Sequence, residues 1–136
     1  MTSFLNRASN LPAHWSAKPL RAVADYTVSN VDKVPTDNEA SVRLCNYTDV
    51  YNNEFITLDL DFMRATATEV EIEKFGLKVD DVVITKDSES WDDIGVPAIV
   101  KETAADLVCG YHLAILRPRK QTLDGPFLFR ASRRSW

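Results

Sequence analysis

Residues 79–100 form the centre of the predicted fold and read Val79-Asp-Asp-Val-Val-Ile-Thr-Lys-Asp-Ser-Glu-Ser-Trp-Asp-Asp-Ile-Gly-Val-Pro-Ala-Ile-Val100. Two apolar runs flank a polar loop in this stretch. The β-branched run at residues 82–84 predicts a buried strand, and the run at residues 96–100, punctuated by Gly95 and Pro97, predicts a second one. The stretch therefore predicts two strands that hold an exposed loop at both ends.

The loop at residues 86–93 is rich in hydrogen-bonding groups. It carries one cation, four carboxylates, two hydroxyls and an indole, and loops of this kind often recognise a ligand. Lys86 and Ser88 can meet phosphates or base edges of DNA. Glu89 and Asp92 can accept from the exocyclic amine of cytosine, while Trp91 can pack on a sugar. The alternative is a solvated loop with the tryptophan folded inward.

Length and composition predict one globular domain. The chain has 136 residues, of which 45% are hydrophobic and 26% charged. It has no apolar run as long as a membrane span, and its first residues lack a hydrophobic signal core, which predicts a cytoplasmic protein without a membrane partner. Cys45 and Cys109 lie in apolar contexts without CxxC spacing, so we expect buried, reduced thiols.

The net charge of -4 conceals an asymmetry along the chain. Residues 1–112 contain 10 basic and 19 acidic residues, a net charge of -9, whereas residues 113–136 contain 6 basic and 1 acidic residue, a net charge of +5. A free-standing nucleic-acid-binding protein usually presents a broad basic face. Any interaction with DNA must therefore explain where the phosphates are neutralised.

The remaining segments predict a strand-rich domain. Residues 1–10 read as a flexible lead-in, and Pro19 opens a helical turn at residues 20–24 that would bury Leu20 and Val23. Further strands are expected at residues 26–31, 42–47, 55–58, 107–109 and 113–116, with a turn region at residues 48–54.

Two helices are marked by their ends. Thr68 and Glu71 form a capping box for a helix at residues 69–75, which Gly76 would stop in a left-handed conformation. Pro126 can start a second helix. The predicted class is α+β: a single domain with a mixed or antiparallel twisted sheet and two or three short helices.

Catalytic arrangements are weakly supported. A nucleophile would need Cys45 or Cys109 beside His112, but no orienting acid is marked, and a core cysteine is the favoured interpretation. A metal site from the carboxylates of residues 87–93 lacks the spacing of a known calcium loop, and Asp59 and Asp61 read as solvated acids at a strand edge. The sequence therefore predicts no enzyme, no metal and no cofactor.

Several segments resemble a target recognition domain of the specificity (S) subunit of type I restriction-modification systems. They occur in the order of that family: Leu-Pro-Ala-His-Trp (11–15), Pro-Leu-Arg-Ala-Val-Ala (19–24), Val-Arg-Leu-Cys-Asn-Tyr-Thr-Asp-Val-Tyr-Asn-Asn (42–53), Ala-Thr-Ala-Thr-Glu-Val-Glu-Ile-Glu-Lys-Phe-Gly-Leu (65–77), Asp-Asp-Val-Val-Ile-Thr-Lys-Asp-Ser-Glu (80–89), Ile-Gly-Val-Pro-Ala (94–98) and Val-Cys-Gly-Tyr-His-Leu-Ala-Ile-Leu-Arg-Pro (108–118). The similarity runs from Leu11 to Ala131. Each segment alone is a weak match to the family, but the order and spacing of the segments together are specific to it.

The chain departs from the family pattern in two places. The family usually has Gly-Asp where this chain has Asp80-Asp81. The family also continues past the helix at Pro126 through further strands and a long spacer helix. We therefore expect residues 11–136 to be a partial recognition domain, with an exposed sheet edge through which the chain could self-associate.

The resemblance implies sequence recognition of double-stranded DNA without catalysis. In the family, the S subunit docks on methyltransferase (M) and restriction (R) subunits, and each of its two recognition domains reads half of a bipartite site. Methylation and cleavage belong to the partners, so cofactors would not bind here. The expected DNA-binding residues are Lys86, Asp87, Ser88, Glu89, Trp91 and Asp92 in the central loop, Tyr47, Asp49, Tyr51, Asn52 and Asn53 in the earlier turn, and Tyr111 and His112. The alternative is a remnant that contacts proteins but not DNA.

Overall fold

The computed structural model of the chain describes residues 12–13, 18–32, 34–88 and 90–133. The strands in these residues are β1 (Ala24–Val28), β2 (Ala40–Cys45), β3 (Phe55–Ile56), β4 (Met63–Ala67), β5 (Val82–Thr85), β6 (Pro97–Val100), β7 (Leu107–Cys109) and β8 (Leu113–Pro118). The α-helices are α1 (Leu20–Val23), α2 (Tyr47–Asn52), α3 (Glu69–Phe75) and α4 (Gly125–Ser132), with a 3-10 turn at Trp91–Asp93. The predicted α+β class is confirmed.

The strands divide between two mixed sheets. The larger sheet has the order β1-β8-β5-β6-β3, in which only β3 and β6 are parallel. The smaller has the order β4-β2-β7, with β2 and β7 parallel. The two strands predicted around the central loop are β5 and β6, which pair antiparallel with Val82 opposite Ile99. Strand β5 is the middle strand of the larger sheet.

Burial on both faces explains the continuous apolar run of β5. Val83 belongs to the main core, which also contains Leu44 and Val42 of the smaller sheet. Val82, its chain neighbour, belongs to a second core that includes Leu128 of α4. A strand covered on both sides carries apolar residues at successive positions instead of alternating with polar ones.

Helix α3 confirms the predicted capping box. The Thr68 hydroxyl accepts a hydrogen bond from the backbone N–H of Glu71 at 3.1 Å. In return, the Glu71 carboxylate accepts one from the backbone N–H of Thr68 at 2.9 Å. The prediction that Gly76 ends the helix in a left-handed conformation was wrong, because the φ of Gly76 is -62°. Glycine is needed there for space: a Cβ would lie 2.6 Å from the carbonyl oxygen of Ile72.

The left-handed residue lies at Asp80, whose φ is 74°. It occupies the position where the resembled domains have glycine, which adopts that conformation without a steric cost. Gly125 approaches Asp80 closely: a Cβ on Gly125 would lie 2.7 Å from the carbonyl oxygen and Cβ of Asp80. This close contact joins the start of α4 to the turn before β5.

Several local predictions were wrong. Most of the turn expected at residues 48–54 is helix α2, which ends at Asn52, and the strand expected to reach Tyr47 ends at Cys45. Strand β4 was missed although Met63-Arg-Ala-Thr-Ala67 alternates apolar and polar residues, because alanine is weakly favoured in strands and the partner strand β2 is distant in sequence. Helix α1 forms, but Leu20 is 48% exposed, since the helix precedes an edge strand. The predicted lead-in at residues 1–10 lies outside the described residues.

Other predictions were confirmed. Cys45 and Cys109 are both buried and free. Helix α4 begins next to Pro126, with the Asp124 carboxylate accepting from the backbone N–H of Phe127. No helix in the described part of the chain is long and apolar enough to cross a membrane.

A buried carboxylate ties the larger sheet to the turn before β5. Asp81 is 1% exposed and accepts two hydrogen bonds from Arg117 of β8, both at 2.8 Å. It also accepts from the backbone N–H of Lys78 at 2.8 Å. The hydrogen bond to Asp81 is the main reason that the pKa of Arg117 is raised. The Nη2 atom of Arg117 also donates to the backbone carbonyl of Gly76 at 3.1 Å.

Candidate nucleic-acid interface

Three separate segments meet at one end of the two sheets. Thr85, the last residue of β5, lies opposite Leu113, the first residue of β8. In the smaller sheet Cys45 pairs with Cys109, and Leu44 pairs with Met63 at the start of β4. The segments that follow β2, β5 and β7 therefore emerge on the same side, and they hold the three groups of predicted DNA-binding residues.

Thr85 closes the base of the central loop. Its hydroxyl donates to the carbonyl of Asp93 at 2.5 Å and accepts from the backbone N–H of Val96 at 3.0 Å. Its own carbonyl accepts from the backbone N–H of Gly95 at 2.6 Å, where the chain turns with a φ of 81°. Because Thr85 is fully buried, the loop projects from a rigid base.

The first residues of the loop contact the segment before β8. The backbone N–H of Lys86 donates to the carbonyl of His112 at 3.1 Å. The Asp87 carboxylate lies 3.1 Å from the Lys86 ammonium and 3.3 Å from Nδ1 of His112. The ammonium also lies 5.6 Å from the centre of the Tyr111 ring, at cation–π distance. The structure thus joins four predicted residues in one cluster.

This cluster makes a testable electrostatic prediction. The pKa of Asp87 is lowered mainly by its hydrogen bond to Lys86, and further by His112. Replacing Lys86 with alanine is expected to raise the pKa of Asp87 toward its ordinary value, measured from the carboxyl carbon shift in an NMR titration. Because the pKa of Asp87 is lowered, its contacts are present above the ordinary value and are lost as the pH falls through the lowered one.

Lys101→Ala is the matched control for that titration. Lys101 is an exposed lysine that lies over the Phe55 ring at 5.5 Å. It belongs to the segment after β6, at the other end of the larger sheet. If the titration of Asp87 moves equally in both variants, the Lys86–Asp87 contact is not formed in solution.

Helix α2 carries the second group of predicted residues. The Asp49 carboxylate accepts from the backbone N–H of Asn46 at 2.8 Å, and the Asn53 amide donates to the Asp49 carbonyl at 2.8 Å. Burial raises the pKa of Asp49, while the Asn46 N–H opposes that shift. Asp49 and Asn53 therefore hold the two ends of the helix. The Asn-x-x-Asp spacing at residues 46–49 was the sequence signal that the turn interpretation missed.

The outer side of α2 presents aromatic rings. Tyr47 and Tyr51 stack with their centroids 5.6 Å apart and their planes at 14°. A hydrogen bond to Asp93 is the main reason that the pKa of Tyr51 is raised, with the Asp93 charge adding to it. Trp91 is 79% exposed, so the inward-folded alternative was wrong.

Two clefts flank the helix. The wider has a volume of about 660 Å³ and is lined by Asn46, Tyr47, Thr48, Met63, Asp87, Ser88, Ser90, Asp93 and His112. The narrower has a volume of about 330 Å³ and is lined by Val50, Tyr51, Asn52, Asn53, Glu54, Asp92, Gly95, Val96, Pro97 and Arg133. Side chains from α2 and the central loop line both clefts.

Most predicted residues meet around these clefts. Tyr47, Asp87, Ser88 and His112 line the wider cleft, and Tyr51, Asn52, Asn53 and Asp92 line the narrower. Lys86 and Tyr111 border the wider cleft through their contacts with Asp87 and His112. Glu89 lies outside the described residues.

Sequence reasoning missed several residues that line the clefts. They include Asn46, Thr48, Met63, Ser90, Asp93 and Arg133. The positive charge of the C-terminal segment was a signal that could have pointed to Arg133 as a site residue. Its guanidinium forms an ion pair with Glu54 at 2.6 Å. Met63 had no comparable signal, because it reaches the cleft only through the pairing of β4 with β2.

Two observations concern the nucleophile and the metal site considered from the sequence. The Cys109 thiol is fully buried, and that burial raises its pKa well above the ordinary value, so a thiolate is not formed near neutral pH. His112 contacts Asp87 and the Tyr111 ring. No cluster of three metal-binding side chains occurs within the described ranges.

No protein-family model matches the sequence, and no curated protein matches it significantly. Solved structures do match it. One is the HsdS subunit from Thermoanaerobacter tengcongensis, with a TM-score of 0.55, 19% identity and coverage of 90% of this chain. Another, from work on complex assembly and conformational transition of the type I R-M system, has a TM-score of 0.55, 15% identity and coverage of 94%. This chain has the fold of a part of HsdS.

The HsdS fold confirms the predicted resemblance at the level of structure, because these neighbours are specificity subunits of type I restriction-modification systems. The chain spans 28% and 31% of the length of the two matched chains. It thus corresponds to a part of each HsdS-type chain. Within that fold, the two clefts and the exposed side of α2 define the candidate interface.

Proposed function

We propose that this chain recognises the base sequence of double-stranded DNA as part of the specificity subunit of a type I restriction-modification system. In this proposal it is not catalytic. It directs methyltransferase and restriction subunits, which carry out the chemistry, to one half of a bipartite site. A cytoplasmic location and a role in defence against foreign DNA follow from that assignment.

The observation that carries the proposal is the convergence of the three segments that hold the predicted DNA-binding residues on one end of an HsdS-like fold. They lie apart in sequence, at residues 46–53, 86–93 and 111–112, and share the rims of two clefts. Binding residues often lie on loops positioned by a rigid scaffold. The buried Thr85 and the capped helix α2 provide such a scaffold here.

The exposed groups suit the edges of bases. Asn52 lies at the exposed end of α2, and a carboxamide can form two hydrogen bonds with adenine in the major groove. The carboxylates of Asp87 and Asp92 can accept from the amine of cytosine. Trp91 and Tyr51 present apolar surface for sugars or thymine methyl groups. Asp49 is used within the protein to hold α2, so we place it outside the contact set.

A randomised-duplex selection tests the proposal. The protein would be used alone and again with the methyltransferase subunits from its own source, at low and then moderate salt. Enrichment of a short half-site supports base recognition, and the arm in which it appears shows whether the partner is required. Failure of both arms to enrich a sequence contradicts the proposal.

Asn52→Ala tests whether α2 reads bases. The variant is expected to lose about 1–3 kcal/mol of discrimination at one position of the selected site, because one bidentate contact is removed. Competition binding between the selected duplex and its single-base variants measures this loss. Asn38→Ala, in the loop before β2, is the matched control at the other end of the sheet and is expected to retain the parent preference.

Exposed apolar residues on β1 favour a second candidate function, a protein-contact module. Tyr26 and Val28 are exposed on β1, an edge strand of the larger sheet. An edge strand can pair with another chain, including a second copy of this one. The same selection separates the candidates, since a protein-contact module enriches no DNA sequence in either arm.

A further inference from the structure

Met63 is an apolar side chain in a polar cleft. It is 43% exposed and lines the wider cleft, where the other lining residues each carry a polar group. Water can hydrate those polar groups, whereas apolar surface is more stable when it is removed from water. An apolar group of a ligand that covers Met63 would therefore gain binding free energy. The wider cleft thus offers an apolar contact among polar ones.

Strand pairing explains why this methionine reaches the cleft. Met63 lies opposite Leu44, and alternate side chains of a strand share a face, so Met63, Ala65 and Ala67 form one row on β4. Leu44 and both alanines are buried in the main core. The row therefore runs out of the core into the cleft, with small side chains where the core encloses it and a long one where the core opens. The flexible thioether chain of methionine can adapt its tip to a contact there.

Helix α2 supplies a hydroxyl group at the same cleft, from Thr48. In the major groove of DNA, thymine presents a methyl group at C5 and the acceptor O4, and no other base carries that methyl group. An apolar side chain and a hydroxyl donor match this combination. Met63 can contact the methyl group, while the Thr48 hydroxyl can donate to O4. Cytosine lacks the methyl group and presents an amine donor, so it matches this pair of side chains less well.

We propose that Met63 is a specificity-determining residue that contacts the C5-methyl group of a thymine in the DNA half-site. This inference rests on the proposed function and assigns a base to the wider cleft. The contact favours thymine because it buries apolar surface that the other bases do not present. Met63 contributes no charge, so the contact changes the preference for one base and leaves the phosphate contacts as they are.

Replacement of single thymines with deoxyuridine tests this contact, because deoxyuridine lacks only the methyl group. Duplexes with one replacement each would compete with the selected duplex for the parent protein, assembled as in the selection. At one thymine position the replacement is expected to weaken binding about fourfold, as for the loss of one buried methyl group. Met63→Ala is expected to bind both duplexes equally at that position. Met63→Leu should keep most of the difference, because it keeps an apolar side chain of similar size.

Val70→Ala is the matched control. Val70 is 65% exposed on α3 and is not among the residues that line either cleft, so this variant should distinguish thymine from deoxyuridine as the parent does. The inference alone is overturned if the selected half-site contains no thymine, or if no single replacement weakens parent binding. It is also overturned if Met63→Ala keeps the parent's difference, or if Val70→Ala loses it. If the parent selects no sequence, the proposed function itself fails.

Discussion

Replacing Arg117 with alanine is expected to lower the free energy of unfolding by about 3–5 kcal/mol, the range for breaking a buried ion pair. Asp81 is 1% exposed and receives both hydrogen bonds of the Arg117 fork. Without the guanidinium, the carboxylate stays buried with only the backbone N–H of Lys78 beside it. The Asp81 carboxylate must then bind a proton or move into solvent. Either change disrupts the turn before β5.

Urea unfolding followed by circular dichroism measures this loss. Arg119→Ala is the matched control: Arg119 forms an exposed pair with Asp25 at 2.9 Å, and removal of such a pair costs about 0–1 kcal/mol. Replacing Asp81 and Arg117 together with leucine is expected to recover most of the stability, because no buried charge is left. An equal, small loss in Arg117→Ala and Arg119→Ala would show that the buried pair does not exist in solution.

Leu113→Ala is expected to destabilise the fold by about 2–5 kcal/mol, through lost burial and the cavity left behind. Leu113 is fully buried in the main core at the start of β8, opposite Thr85. Its backbone N–H donates to the carbonyl of Gly110 at 3.1 Å, which bounds the turn that carries Tyr111 and His112. The change should therefore loosen the interface as well as the core.

The matched control is Leu20→Ala, at a leucine that is 48% exposed. Its expected loss is within about 0.5 kcal/mol, as for most surface substitutions. Thermal unfolding measures both variants, and hydrogen exchange at Lys86, whose N–H donates to the His112 carbonyl, reports on the interface. The packing argument is contradicted if Leu113→Ala unfolds at the same temperature as Leu20→Ala.

Elements with strong local signals were predictable from the sequence. The capping box of α3, the apolar runs of β5 and β6, and the proline at the start of α4 each mark their element within a few residues. The central loop was identified as a candidate site because its composition is unusual between two strands. Local chemistry decides these features, so no distant contact is needed to predict them.

Helix α2 shows where local signals failed. Its N-terminal Asn46–Asp49 contact uses a less common pair of capping residues, and the turn-forming asparagines that follow suggested a loop. Burial of Val50 against the main core contributes to keeping these six residues helical. Tertiary packing here outweighs a weak helical propensity.

The residues alone specified an α+β chain, two central strands, a polar loop between them and buried cysteines, because each of these depends on neighbours in sequence. Tertiary structure decided the rest. It divided the strands between two sheets, made residues 47–52 a helix between two clefts, and placed Met63 at the wider cleft. These features depend on pairings between residues far apart in the chain, such as β2 with β7, and composition and spacing do not encode such pairings directly.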